Sequence, residues 1–223
     1  MMKISAKRLL LVSMLAALPC LQGCFPAVVG GAALGVMSLH DRRSTGTQTD
    51  DETTEWKARN QIPAQYAETA HVNFTSYNRR LLITGEAPTA EAKASIEASV
   101  RKLEGVREIY NELGIGEISS LGSRSTDSYI DSKVKARLVD SKQISANHIK
   151  VVTERAITHL MGIVTEREAK IAIQIARTTA GVRKVVNLLE VVSEEEIRRL
   201  DAQVQAPRSR PADEPVLPAE IRQ

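Results

Sequence analysis

The seven residues GVREIYN at Gly105–Asn111 return as GVRKVVN at Gly181–Asn187, seventy-six positions later. The match extends upstream. LLITGEAPTAEAK (Leu81–Lys93) faces ITHLMGIVTEREAK (Ile157–Lys170), with Gly85 on Gly162 and the triplet Glu91–Lys93 on Glu168–Lys170. Further up, KAR at Lys57–Arg59 faces KAR at Lys135–Arg137. A repeat of about 70 residues is longer than most solenoid periods, so two copies mean two tandem small domains.

Each copy carries the same order of patterns. An amphipathic or polar helix is expected over about 51–61 and again over about 128–141. Two alternating strands follow, HVNFTSY with RLLITGEA and HIKVVTE with ITHLMGIV, spaced as hairpins. A second helix comes next, with Thr89 or Thr165 as N-cap and acids in the first turn. Gly105 and Gly181 suit a left-handed C-cap ahead of the last strand. The fold class is α+β: two tandem α-β-β-α-β domains, each a three-stranded sheet covered on one face by two helices. Aromatic residues are 3% of the chain, so the cores must rest on aliphatic side chains.

The N-terminus has its own layout. Lys3, Lys7 and Arg8 precede the uncharged run LLLVSMLAALPCLQGC, the arrangement of a secretory signal peptide. The run ends in LQGC, Leu21–Cys24, which resembles a bacterial lipobox. That makes Cys24 the expected lipidation site and residues 1–23 the leader. An uncleaved anchor is the alternative, since no charge occurs from Leu9 to Leu39. Phe25 after Cys24, in place of Asp, implies export to the outer membrane by the usual sorting rule. Residues 1–23 hold three of the 30 basic residues and no acid, so the remainder carries 27 of each sign. The basic pI of the whole chain is therefore no argument for nucleic acid.

The unit, with MGIVTEREAK before its second helix and GVRKVVN after it, resembles the BON domain. Two such units behind a lipobox resemble the dual-BON lipoproteins of the Gram-negative outer membrane, over about residues 41–192, with STGTQTDD (Ser44–Asp51) part of the likeness. The resemblance sets the expected organisation: lipidated linker 24–43, first domain 44–117, linker 118–123 and second domain 124–192. Residues 193–223 depart from it and read as a short helix and a disordered Pro-rich tail. It implies a protein on the periplasmic face of the outer membrane. Such a protein supports envelope integrity, binds anionic phospholipid chiefly through the first helix of its second domain, and concentrates at division sites. It implies no catalysis and no cofactor, and suggests association with the outer-membrane protein assembly machinery. One departure is ERAIT (Glu154–Thr158), which stands where the family often has an Asn-Gly turn.

The residues point the same way. Residues 50–117 carry 8 basic and 12 acidic side chains, while residues 124–192 carry 12 basic and 7 acidic. Such asymmetry bears on partners. In the helix DSYIDSKVKARLV, Ile130, Val134 and Leu138 form a stripe flanked by Lys133, Lys135 and Arg137, with Tyr129 near the start. The candidate lipid-binding residues are Tyr129, Ile130, Lys133, Val134 and Arg137. A stripe of this kind equally suits packing on a sheet, which would leave Tyr129 and Lys133 as the contacts. The basic residues could also form an ordinary solvated face. The competing function is a periplasmic scaffold for assembly or division factors. The four histidines show no metal-ligand spacing, and no nucleophile or phosphate-loop motif is present, so an enzyme is not expected.

Overall fold

Both expected hairpins close through two-residue turns that contain no glycine, and a buried aspartate explains each. The computed structural model describes residues 41–205; Cys24, the leader, most of the linker and the Pro-rich tail lie outside them. The first domain runs α1 (Thr45–Arg59), β1 (His71–Tyr77), β2 (Arg80–Ala87), α2 (Ala90–Val100), β3 (Glu108–Asn111) and β4 (Gly114–Ile115). The second runs α3 (Leu121–Ser141), β5 (Ile149–Glu154), β6 (Ile157–Val164), α4 (Glu166–Arg177) and β7 (Lys184–Val191), and α5 (Glu194–Gln205) follows. In each sheet the middle strand pairs antiparallel with the strand before it and parallel with the strand after its helix. Strand β4 also pairs parallel with β2, so β3 and β4 are two pieces of one interrupted edge strand.

The turn residues Asn78 and Arg79 have φ of 52° and 64°, and Arg155 and Ala156 have 54° and 58°. These are type I′ turns, which favour Asn-Gly because both central residues are left-handed. A left-handed non-glycine residue costs roughly 1–2 kcal/mol. Asp127, on α3, accepts both turn amides of the second hairpin, from Arg155 at 2.9 Å and Ala156 at 2.8 Å. Asp51, on α1, does the same for Asn78 at 2.7 Å and Arg79 at 2.9 Å. The first helix of each domain thus holds its hairpin in register. Ala156→Gly is expected to raise stability by about 0.5–1 kcal/mol, since relief of φ strain outweighs the added unfolded-state entropy. A urea midpoint that falls would contradict this.

Asp51 and Asp127 are 76 residues apart, and Ala58 and Val134, both fully buried, keep that spacing. The KAR triplets, 78 apart, are therefore not structural equivalents; Lys57 corresponds to Lys133. The first helices also start earlier than expected, at Thr45 and Leu121. Their opening turns carry no periodic apolar stripe; Leu121 is the one large apolar residue in them. They are held by Ser44 and Ser120 as N-caps and by hydroxyls bonded back one turn, such as Thr49 to the Thr45 carbonyl at 3.0 Å and Thr126 to the Gly122 carbonyl at 3.0 Å. The second-helix N-caps are as expected: Thr89 accepts from the Ala92 amide, and Thr165 forms a reciprocal capping box with Glu168. Gly105 and Gly181 are left-handed at φ 85° and 102°, but they lie beyond the C-caps Arg101 and Thr178, in the turns that lead to the last strands. The equivalent Gly85 and Gly162 are needed for another reason. A Cβ there would lie 2.0 Å from the His71 carbonyl oxygen and 2.3 Å from that of His148.

Each sheet covers an aliphatic core with its two helices, around Phe74, Leu81 and Ile96 in one domain and Val134, Leu160 and Ala172 in the other. The bare faces of the two sheets meet. Tyr77 and Leu82 pack with Met161, Ile163 and Leu188, and Ile197 of α5 joins the cluster. The described residues belong to one compact unit, layered helix, sheet, sheet, helix. Polar contacts rim the seam: Asn73 to Glu154 at 2.6 Å, Asn78 to Glu190 at 2.9 Å, the Arg80 guanidinium to the Leu188 carbonyl at 3.0 Å, and Lys150 to Glu55 at 3.2 Å.

Two adjacent arginines before α1 tie this arrangement together. Arg42 makes a bidentate pair with Glu168 at 2.8 and 3.0 Å, donates to the Ile163 carbonyl at 2.8 Å, and reaches Asp201 of α5 at 3.3 Å. Arg43 turns the other way, pairing with Asp51 at 2.8 Å and lying 3.9 Å over the Tyr77 ring.

Candidate membrane-facing helix

Helix α3 buries one face and leaves the opposite one unusually free of charge. Asp127, Ile130, Val134 and Leu138 point inward. Ile130 is 3% exposed and Val134 is fully buried, so these two anchor the helix to its domain and cannot meet lipid from the folded state. That corrects their place among the candidate lipid contacts. Gly181 explains how closely the next loop approaches: a Cβ there would fall 2.9 Å from Ile130.

Leu121, Tyr129 and Val139 are 78%, 64% and 61% exposed. With Ser125, Ser132 and Ala136, also exposed, they occupy an arc of about 80° at the helical advance per residue. The row runs almost the full length of α3, about 27 Å at 1.5 Å per residue, and contains no charged side chain. Sequence reading missed Leu121, assigned to the linker, and Val139, outside the inward stripe. The signal for them was a row of small and uncharged residues, which hydrophobic periodicity does not score.

The basic residues lie beside this row and are oriented by their own domain. Lys133 sits 4.7 Å from the Tyr129 ring centroid and donates to the Ala180 carbonyl. Arg137 bonds the C-terminal end of α4, through the Ile175 carbonyl at 3.0 Å and the hydroxyls of Thr178 and Thr179 at 3.0 and 2.8 Å. Lys135 pairs with Asp131 at 2.7 Å; burial raises the Asp131 pKa, and the lysine offsets part of that rise. These bonds of Lys133, Lys135 and Arg137 all stay within the second domain, whereas Lys150 pairs across the seam with Glu55. On the equivalent helix α1 the exposed large apolar residue is Trp56, at 67%, and Asp50 and Glu52 stand nearby in sequence.

Among the described residues no helix is long and apolar enough to cross a membrane, and no group of three His, Cys, Asp or Glu could hold a metal ion. His159 is a buried residue of β6. Its Nδ1 lies 3.3 Å from the Val152 carbonyl, and burial lowers its pKa.

The BON domain family model matches residues 50–117 and 126–193. The chain is 38% identical over 172 residues to "Outer membrane lipoprotein DolP" of Haemophilus influenzae (strain ATCC 51907 / DSM 11121 / KW20 / Rd), covering 76% of this chain and 89% of that one. It is 37% identical over 154 residues to a "21 kDa hemolysin" of Actinobacillus pleuropneumoniae, covering 68% of this chain and 79% of that one. Among solved structures, CdsD, a structural protein of the type III secretion system of Chlamydia trachomatis, aligns with 71% of this chain and 99% of its own length, at 15% identity and a TM-score of 0.28. Both repeats read from the sequence coincide with the matched segments, and the chain belongs to the BON-domain family as a two-domain, DolP-like member.

Proposed function

We propose that this chain is a non-enzymatic outer-membrane lipoprotein, held through Cys24 with its domains in the periplasm, whose second BON domain binds anionic phospholipid through the outer face of α3 and so supports envelope integrity. The supporting observation is the uncharged exposed row of Leu121, Tyr129 and Val139 with Lys133 and Arg137 beside it. Tyrosine is suited to the membrane interface, and each basic residue near an anionic surface contributes about 1 kcal/mol. Acyl chains on Cys24 would keep the protein at a membrane; α3 would select where on that membrane it rests. Placement at division sites follows from the family resemblance alone.

The test is sedimentation of the unacylated chain from Asp41 with vesicles of neutral lipid, with and without anionic phospholipid. Capture is expected to rise at least tenfold with anionic lipid, from two or three basic residues at about 1 kcal/mol each, and to fall with added salt. Tyr129→Ala with Leu121→Ser should remove most of it while thermal unfolding stays unchanged, because neither side chain is in the core. Equal capture by both vesicle types would refute the reading. Trp56, exposed on the acidic domain, supports a second reading as a scaffold for a protein of the assembly machinery. If that holds, Trp56→Ala would lose a protein partner and leave vesicle capture intact.

A further inference from the structure

A cavity of about 410 Å³ opens where the inter-domain linker, the start of α3 and the second hairpin turn converge. Its lining includes Glu86, Glu117, Ser119, Ser123, Arg155 and Arg183. Glu86 is 2% exposed. One carboxylate oxygen, Oε2, accepts from the Ser119 amide and hydroxyl at 3.3 Å each. The other, Oε1, is buried without a hydrogen-bond partner among the described residues. Buried polar atoms in native proteins are nearly always paired, so such an oxygen marks a missing donor.

The opposite need lies on the rim of the same cavity. Glu86 and Gly114 are register partners in β2 and β4. The Arg155 guanidinium rests on Gly114, where a Cβ would be 1.5 Å from Nη1. It donates no hydrogen bond and forms no ion pair among the described residues, and it does not pair with Glu86. Arg183 reaches the same place and donates through Nη2 to the Arg155 carbonyl at 2.7 Å. One wall thus lacks a donor, and the rim offers guanidinium groups that suit a tetrahedral oxyanion.

We propose that this cavity is a binding site for an aminoalkyl phosphate, the zwitterion carried by phosphoethanolamine. The ammonium pairs with the Glu86 carboxylate, with Glu117 and Asp127 also in the lining, and the phosphate lies against Arg155 and Arg183. Ser123, Thr126 and Asp127 place the cavity against the start of α3. On the proposed membrane reading of α3, on which this source of ligand rests, a phospholipid headgroup is one source of this chemistry. A free aminoalkyl phosphate is the other source of the same chemistry.

The experiment titrates full-length protein, in maltoside micelles, with glycerophosphoethanolamine, following the amide resonances of Gly116 and Ser123. Saturable shifts are expected, and glycerophosphocholine, which has no N–H donor, should give none. Glu86→Gln and, independently, Arg155→Gln on the exposed rim should each weaken binding at least tenfold. Absence of saturable shifts, equal response to the choline compound, or full affinity in both variants would overturn the site. A second arm compares capture by vesicles of fixed anionic content with phosphatidylethanolamine or phosphatidylcholine as the remainder. Greater capture with the ethanolamine lipid identifies the membrane as source, and equal capture alongside saturable shifts identifies the free compound. Loss of all anionic capture with retained shifts would sink the α3 reading and leave this site standing.

Discussion

Asp51→Ala should lower stability by about 4 kcal/mol, within the range for removing one member of a buried hydrogen-bonded ion pair. Asp51 is 2% exposed. Besides the two turn amides it accepts from the Ser76 hydroxyl at 2.7 Å and pairs with Arg43 at 2.8 Å. Alanine would leave two left-handed turn residues without their compensating bonds and the Arg43 guanidinium with Asp41 as its remaining carboxylate. At roughly 2–4 °C per kcal/mol for a unit of this size, the melting temperature should drop by about 8–16 °C. Asp51→Asn keeps one acceptor oxygen and sets an NH2 against the other turn amide, so it should lose nearly as much. A calorimetric scan in which Asp51→Ala melts like wild type would show that the hairpin does not depend on α1. The same change at Asp127 should be milder, because Asp127 holds the two turn amides and has no counterpart to Arg43 among the described residues.

Arg42→Ala should cost about 3 kcal/mol, since Arg42 is 6% exposed and its loss leaves Glu168 without its bidentate partner. This effect carries a pH signature. Burial alone would raise the Glu168 carboxyl, but the Arg42 guanidinium and the Thr165 amide outweigh it and hold its pKa below the ordinary value. A carboxylate with a depressed folded-state pKa contributes stability above its unfolded pKa and loses it as pH falls through the folded value. The gap between wild type and Arg42→Ala should therefore be full at neutral pH and narrow once the pH drops below the ordinary carboxylate range. Urea midpoints across that range test it; a gap independent of pH would mean that Arg42 acts through packing alone. Arg42 also reaches α5 through Asp201, so proteolysis near α5 should quicken in the variant.

Much of the fold was legible because it is written in local chemistry. The strands of both hairpins alternate as half-buried strands must, Thr89 and Thr165 stand where helix starts need an acceptor, and the repeated Gly residues recur where backbone approach or a left-handed angle excludes a side chain. The ERAIT turn was the place where the family pattern failed. The hairpin survives there because Asp127, 28 residues upstream of Arg155, supplies what the missing Asn-Gly would have made easy. Of the candidate lipid contacts, Tyr129 is exposed and Lys133 is half-buried beside it. Ile130 and Val134 carried the strongest periodic signal and are buried for that reason: a regular apolar stripe is what a core selects.

The amino-acid sequence alone determined that there are two copies of one α-β-β-α-β unit and that their charges are opposite. Those properties reside in periodicity and residue chemistry over a few turns or strands. Only the tertiary structure decided that the two sheets meet by their bare faces, that Arg42 and Arg43 clasp opposite domains, and that Glu86 is buried at a cavity with one oxygen unpaired among the described residues. Each of these depends on atoms far apart in the chain, up to 159 positions for Arg42 and Asp201. Burial and unpaired polar groups are properties of what packs nearby, and sequence neighbours do not encode them.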